Sequence, residues 1–116
     1  MKRFVLLLAG LILLASPAWA FQGSIGSGEQ STTTAVVNGA CWLTAVQHIT
    51  DGTNDCKVII HDYSGAASGT VRYEVTVAGA DNYGGRVWTY PKKMYNGIYA
   101  TGSGTGCTYI IEYIQE

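Results

Sequence analysis

The sequence has few side chains that could carry out acid–base chemistry. His48 and His61 are its only histidines, and Asp62 directly follows His61. Successive residues of an extended strand point to opposite faces, so His61 and Asp62 cannot form a catalytic pair on a strand. A His/Asp/Ser arrangement needs residues that converge in space, and no spacing in this chain indicates such convergence. We therefore predict that the protein is not an enzyme and has no cofactor.

The acidic segment at 51–55, with the sequence DGTND, is the best candidate for a cation site. Carboxylate and amide oxygens are ligands that Ca²⁺ prefers, but the spacing does not fit an EF-hand loop. An Asx turn is the simpler interpretation. A zinc site is not expected, because the cysteines lack C-x-x-C spacing and the histidines lie elsewhere. The sequence predicts no metal site.

Aromatic side chains give the best indication of a binding surface. Trp88, Tyr90 and Tyr95 flank a Pro-Lys-Lys segment, and Tyr83 lies in a glycine-rich loop. Exposed aromatic rings beside polar groups suit stacking on sugars or contact with proteins. The alternative is a core role, because both phenylalanines lie near the amino end. Core packing is favoured for four aromatics: Trp42, Trp88, Tyr109 and Tyr113. Of these, Trp88 also belongs to the candidate surface. For Tyr83, Tyr90 and Tyr95 both a core role and a surface role stay open.

The first twenty residues have the layout of a secretory signal peptide. Lys2 and Arg3 precede an apolar run of eleven residues at 4–14, and Ala18 and Ala20 supply small residues at a cleavage site. A membrane span needs about 20 apolar residues, so the run is too short to serve as an anchor. We predict cleavage after Ala20 and secretion to the periplasm or the exterior, without later membrane attachment.

Three cysteines allow one intramolecular disulfide and leave one thiol over. Export places them in an oxidising compartment, where disulfides persist. The preferred pair is Cys56 with Cys107, because each opens a strand-like run and the bridge closes a long loop. Cys41 with Cys107 remains an open alternative, and Cys41 with Cys56 is the least favoured. The remaining cysteine is either buried as a small apolar residue or links two subunits.

Composition indicates one small globular domain of low charge. The chain has 116 residues, 7 basic and 8 acidic, with 13% charged and 47% hydrophobic residues. That composition argues against disorder. Without a basic surface, neither a nucleic acid nor an anionic membrane is an expected partner.

Short apolar runs separated by turn signals predict an all-β fold. Residues 21–34 are rich in Gly, Ser and Thr and indicate a flexible arm, whose end at 31–37 could add a strand to a neighbouring subunit. Residues 35–116 form the predicted domain, a small antiparallel β-sandwich of the jelly-roll or immunoglobulin-like type. Alternation is clearest at 70–78, where the valines and Tyr73 share one face. About seven short strands are predicted: 35–37, 41–50, 56–63, 70–78, 86–90, 94–100 and 107–114.

Short motifs between Gly39 and Tyr113 resemble a known group of proteins. They are the Trp/Leu strand at 41–46, the strand at 57–62 that ends in His-Asp, the Tyr-Asn-Gly-Ile-Tyr segment at 95–99 and the tyrosine strand at 108–113. This pattern resembles the small β-sandwich structural proteins of tailed-phage virions, of the head-fibre or decoration type. The resemblance implies a sandwich fold and a structural role, and it brings no catalytic residues.

These observations predict a secreted, non-catalytic structural or assembly subunit. Its expected partners are copies of itself or other protein subunits. The alternative is a monomeric module that binds a carbohydrate or a cell-surface receptor through surface tyrosine and tryptophan.

Overall fold

The computed structural model describes residues 25–116. The signal peptide and cleavage site predicted above therefore lie outside the described residues. The described chain forms eight strands and one 3-10 turn at Gly79–Asp81. The strands are β1 (Ile25–Gly26), β2 (Thr34–Asn38), β3 (Cys41–Ile49), β4 (Cys56–Asp62), β5 (Thr70–Val77), β6 (Tyr83–Met94), β7 (Gly97–Ser103) and β8 (Thr108–Gln115).

The strands form two antiparallel sheets of four that pack face to face. Sheet A has the order β1-β8-β3-β6, and sheet B has the order β2-β7-β4-β5. The prediction of a small all-β sandwich is confirmed. Strand pairing is nested, with first and last, second and seventh, third and sixth, and fourth and fifth strands adjacent. This order is that of a jelly roll and differs from the immunoglobulin order.

Alternating side chains from both sheets fill the space between them. Every second residue of β4 is buried, beginning at Cys56. The alternation of β3 is interrupted near Thr44, where the register against β8 shifts. Burial of these apolar side chains is the main stabilising contribution to the fold. The largest fully buried apolar side chains are Leu43, Val58, Ile60, Met94, Ile98, Tyr109 and Ile111.

A disulfide joins the two sheets at one end of the sandwich. It connects Cys56, the first residue of β4, to Cys107, just before β8, across a Cα–Cα distance of 4.9 Å. The preferred pair is therefore the one that forms. Cys41 is free and fully buried at the start of β3. Burial raises the pKa of its thiol to about 11, so it stays protonated and packs as a small apolar residue.

The segment expected to be a flexible arm lies along β8 from Ile25 onwards. The amide of Ser27 donates to Ile111, and Gln30 exchanges two backbone hydrogen bonds with Tyr109. Residues 25–30 are therefore attached to this chain's own sheet A, and β2, which begins at Thr34, pairs with β7 of the same chain in sheet B. The edge of β8 offers free backbone partners at these positions, which composition alone does not reveal.

A bulge in β5 changes which of its residues share a face. The register of β4 against β5 shifts between Ile60 and His61, so Val71 pairs with His61 and lies outside the sandwich. Tyr73 and Val77 are buried on the inner face as expected, but Val71 is 46% exposed. A single extra residue moves every later side chain of a strand to the opposite face.

The sixth strand is longer than predicted. Pro91 was expected to end it near residue 90, but β6 runs from Tyr83 to Met94. Leu43 pairs with Lys92 and Ala45 pairs with Val87, so residues 88–91 bulge outwards opposite one residue of β3. Pro91 lies in that bulge on an edge strand, where its missing N–H removes no ladder hydrogen bond.

Candidate functional site

One edge of sheet A is formed by β6, which pairs with β3 on one side only. Its three exposed large hydrophobic side chains are Tyr83, Val87 and Tyr90, which we call the β6 surface. They are 65%, 80% and 86% exposed. A solvent-facing strand edge also presents backbone N–H and C=O groups that have no partner in its own sheet. The β6 surface therefore combines apolar side chains with hydrogen-bonding capacity.

Two glycines hold the first half of β6 against both sheets. A Cβ on Gly84 would lie 2.4 Å from Cγ2 of Val77 in sheet B. Gly85 has φ +140°, and a Cβ there would lie 2.0 Å from the carbonyl oxygen of Val46. Residues with side chains would push the strand away at both positions. This close approach fixes a register in which Tyr83 and Val87 both lie on the outer face, opposite Ile49 and Ala45 of β3.

The bulge at 88–91 separates two neighbouring aromatic side chains. Trp88 turns inwards, and its ring meets the ring of Tyr73 edge-on at 5.8 Å. The guanidinium of Arg86 lies 5.3 Å above Trp88. Trp88 is thus half-buried against the core, which agrees with its expected core role and removes it from the candidate surface. Tyr90 projects into solvent.

Tyr95 lies in the turn after β6 and is positioned by a buried carboxylate. Asp62 accepts hydrogen bonds from the amides of Tyr95 at 3.1 Å and Asn96 at 2.7 Å. Arg72 approaches the same carboxylate at 3.5 Å and lies 6.0 Å from the Tyr95 ring. Tyr83 and Tyr95 lie at opposite ends of β6. The four predicted surface aromatics therefore do not form one site, and only Tyr83 and Tyr90 belong to the β6 surface.

The outer face of sheet A carries a shallow trough of about 340 Å³. Ala45 and Gln47 of β3 form its floor, between β8 on one side and β6 on the other. The side chains of Gln47 and Glu112 have no hydrogen-bond or ion-pair partner within residues 25–116. Sequence reasoning missed this trough, although the polar outer positions of β3 and β8 were a usable signal. Its lining is Ala45, Val46, Gln47, Gly84, Gly85, Arg86, Val87, Ile110 and Glu112.

Trp42 lies on this outer face, whereas the sequence favoured the core. It pairs with Ile114 and Lys93 on the flanking strands and is 37% exposed. The Lys93 ammonium lies 4.8 Å from the ring centroid. Cys41 and Leu43 take the inner positions on either side, so Trp42 must point outwards. Tyr109 is buried and Tyr113 packs against the core, as expected.

The two histidines do not form a catalytic arrangement. His48 is buried, and its Nδ1 donates to the carbonyl oxygen of Cys56 at 3.2 Å. Its Nε2 therefore accepts the hydroxyl of Tyr73 at 2.8 Å. Burial lowers the pKa of His48 and raises that of Tyr73, so both groups are neutral. His61 lies outside sheet B beside Val71, on the other side of the sandwich.

The acidic segment forms the expected Asx turn. The carboxylate of Asp51 accepts the amides of Thr53 at 2.9 Å and Asn54 at 2.7 Å. These hydrogen bonds lower the pKa of Asp51. No group of three or more His, Cys, Asp or Glu residues suited to a metal occurs between residues 25 and 116.

Comparisons with protein-family models, with curated proteins and with solved structures gave no match. Within the described range, no helix is long and apolar enough to cross a membrane. The β6 surface and the adjacent trough are thus the features from which a function can be inferred.

Proposed function

We propose that the protein is a secreted, non-catalytic assembly subunit that binds protein partners through the β6 surface. One observation carries this proposal. The two most exposed large apolar side chains of the described chain, Val87 and Tyr90, lie with Tyr83 on one strand whose outer edge is unpaired. Addition of a strand from a partner would satisfy that edge and cover the apolar side chains.

The first half of β6 carries few of the features that usually protect an edge strand. Natural edges are commonly blocked by lysine, proline, bulges or inward charges. Residues 83–87 contain no lysine or proline. Their one charged residue, Arg86, pairs with the buried Val46 on the inner face, and its guanidinium lies over Trp88 of the same chain. The edge of sheet B differs, because Lys57 and Glu74 form an ion pair of 2.8 Å across β4 and β5. The asymmetry between the two edges favours β6 as the contact.

Secretion is supported by two observations of different kinds. The bond between Cys56 and Cys107 is the type that persists in an oxidising compartment. The residue pattern at 1–20 is that of an export signal. The resemblance to phage virion sandwich proteins is consistent with a structural role, whether in a virion-like or another extracellular assembly.

A matched pair of lysine variants tests the proposal. Val87→Lys places a charge on the β6 surface, and Val71→Lys places one at an exposed valine of β5. We expect Val87→Lys to abolish association measured by analytical ultracentrifugation, while Val71→Lys associates as the wild type does. Equal urea midpoints for both variants would show that the fold is intact. Association that survives Val87→Lys in a folded protein contradicts the proposal.

The trough on sheet A favours a second candidate, an extracellular carbohydrate- or receptor-binding module. Unpaired Gln47 and Glu112 lie beside the apolar Ala45 and Ile110, and Tyr83 shares their face. Amide and carboxylate groups around an apolar floor suit a ligand with apolar faces and polar edges. This candidate predicts glycan binding that Gln47→Ala weakens at unchanged solution mass. No binding across a glycan array would count against it.

A further inference from the structure

We propose that the partner of the β6 surface is a second copy of the same chain, paired through residues 83–87 about a two-fold axis at Gly85. This inference rests on the proposed function and specifies its partner and register. In the resulting dimer, sheet A continues across β6 of both copies as one antiparallel sheet of eight strands.

A two-fold axis perpendicular to the sheet keeps the outer faces of both copies on the same side. Directly opposed residues must then lie on the same face, because opposed side chains in antiparallel strands share a face. Tyr83, Gly85 and Val87 lie on the outer face, since they pair with Ile49, Gln47 and Ala45 of β3. The centre of symmetry must therefore fall on one residue.

Three centres are available in this segment, and they differ in what they bring together. Symmetry about Arg86 sets the two arginines directly opposite each other, which is destabilising. Symmetry about Gly84 pairs only residues 83–85 and leaves Val87 beyond the end of the partner strand, at the 3-10 turn that contains Asp81. Symmetry about Gly85 sets Tyr83 of each copy opposite Val87 of the other. Pairs of aromatic and β-branched side chains are favourable cross-strand neighbours, so the last register is preferred.

The same register places Arg86 of one copy opposite Gly84 of the other. Gly84 itself has no side chain, and Val77 of sheet B fills its inner side, so the Arg86 guanidinium stays over Trp88 of its own chain. The contact also brings together two largely exposed side chains, Tyr83 and Val87, and leaves Tyr90 in the bulge outside the pairing. Both cross-strand pairs form twice, as two-fold symmetry requires.

Local structure limits the pairing to these five residues. Asn82, just before β6, has φ +62° and ends the extended backbone on one side. The bulge at 88–91 interrupts the strand on the other side. The segment between them is short and has one symmetric register with favourable pairs. A specific dimer is therefore expected instead of open-ended sheet addition, since pairing consumes the free edge of both copies.

Cysteine cross-linking tests the register. In the proposed dimer, positions 83 and 87 of different copies have Cβ atoms about 4.5–5.5 Å apart. Within one chain the same positions are about 13 Å apart, which is too far for a disulfide. We expect the double variant Tyr83→Cys/Val87→Cys to double in mass on a non-reducing gel after mild oxidation. Each single variant should remain monomeric on that gel, as should the control Val71→Cys.

The outcomes separate the two proposals. Cross-linking of Val87→Cys alone, in a protein whose wild type dimerises, would overturn this register and leave the assembly proposal in place. A wild type that is monomeric at every concentration would overturn both. Amide hydrogen exchange of the wild type checks the result without substitutions. The amides of residues 83–87 should exchange more slowly at high than at low protein concentration, and equal rates in a dimer would place the contact elsewhere.

Discussion

Reduction of the disulfide between Cys56 and Cys107 tests how the small sandwich is held together. The bond closes a loop with a sequence separation of 51 residues and connects sheet B to sheet A. In the chain-entropy account, closing a loop of this length removes unfolded-state freedom worth about 4 kcal/mol at 25 °C. The free energy of unfolding should therefore fall by about that amount on reduction.

Urea unfolding followed by tryptophan fluorescence measures the effect. With an m-value of about 1–3 kcal/mol per molar urea, the midpoint should drop by about 1.3–4 M when reductant is added. The double variant Cys56→Ala/Cys107→Ala is the control, because its midpoint should not respond to reductant. Cys41 is free in both proteins and so does not contribute to the difference.

A decrease of less than about 1 kcal/mol would refute this reasoning. It would mean that the reduced unfolded chain retains enough structure to keep the two cysteines close, or that they are not joined in the folded protein. Free-thiol titration of the unfolded protein separates these explanations. One reactive thiol per chain indicates the disulfide, and three indicate its absence.

Two further predictions concern buried polar groups. Burial lowers the pKa of His48, so the unfolded chain binds a proton that the folded chain excludes. Stability should therefore fall as pH decreases below about 6.5. Urea unfolding at pH about 7.5 and about 5.5 should show this loss, and the His48→Gln variant should lack the part of the loss that His48 causes. Asp62→Asn should lower the free energy of unfolding by about 2–3 kcal/mol, because the new amide N–H₂ faces a backbone donor of Tyr95 or Asn96. Asp81→Asn, at an exposed carboxylate, should leave the urea midpoint unchanged, and an equal effect of both aspartate substitutions would contradict the role given to Asp62.

Strand positions were predictable because their signals are local. The strand around Tyr73, the Asn-Gly turn at 38–39 and the Asx turn at Asp51 all lie where the sequence indicates. The cysteine pair was also predictable, since Cys56 opens β4 and Cys107 directly precedes β8. These features depend on a few neighbouring residues and on the strand period of two.

Features that depend on which strand lies beside which were not predictable. Trp42 was expected in the core, but the inner positions of β3 belong to Cys41 and Leu43. Residues 25–30 appeared too polar to pack, yet the free edge of β8 binds their backbone. Val87 is exposed because β6 lies at the edge of sheet A, and only the order of the strands in the sheet determines which strand lies there. No local pattern encodes sheet order.

The central claim is that this sandwich associates through the β6 surface, and the absolute solution mass tests it most directly. The protein should be purified after export and measured by size exclusion with light scattering over a range of concentrations, with and without reductant. The account predicts a concentration-dependent shift from monomer to dimer. This shift should persist at reductant concentrations that leave the disulfide between Cys56 and Cys107 intact. A monomer at every concentration, or a dimer that disappears as soon as intermolecular disulfides are reduced, would contradict it.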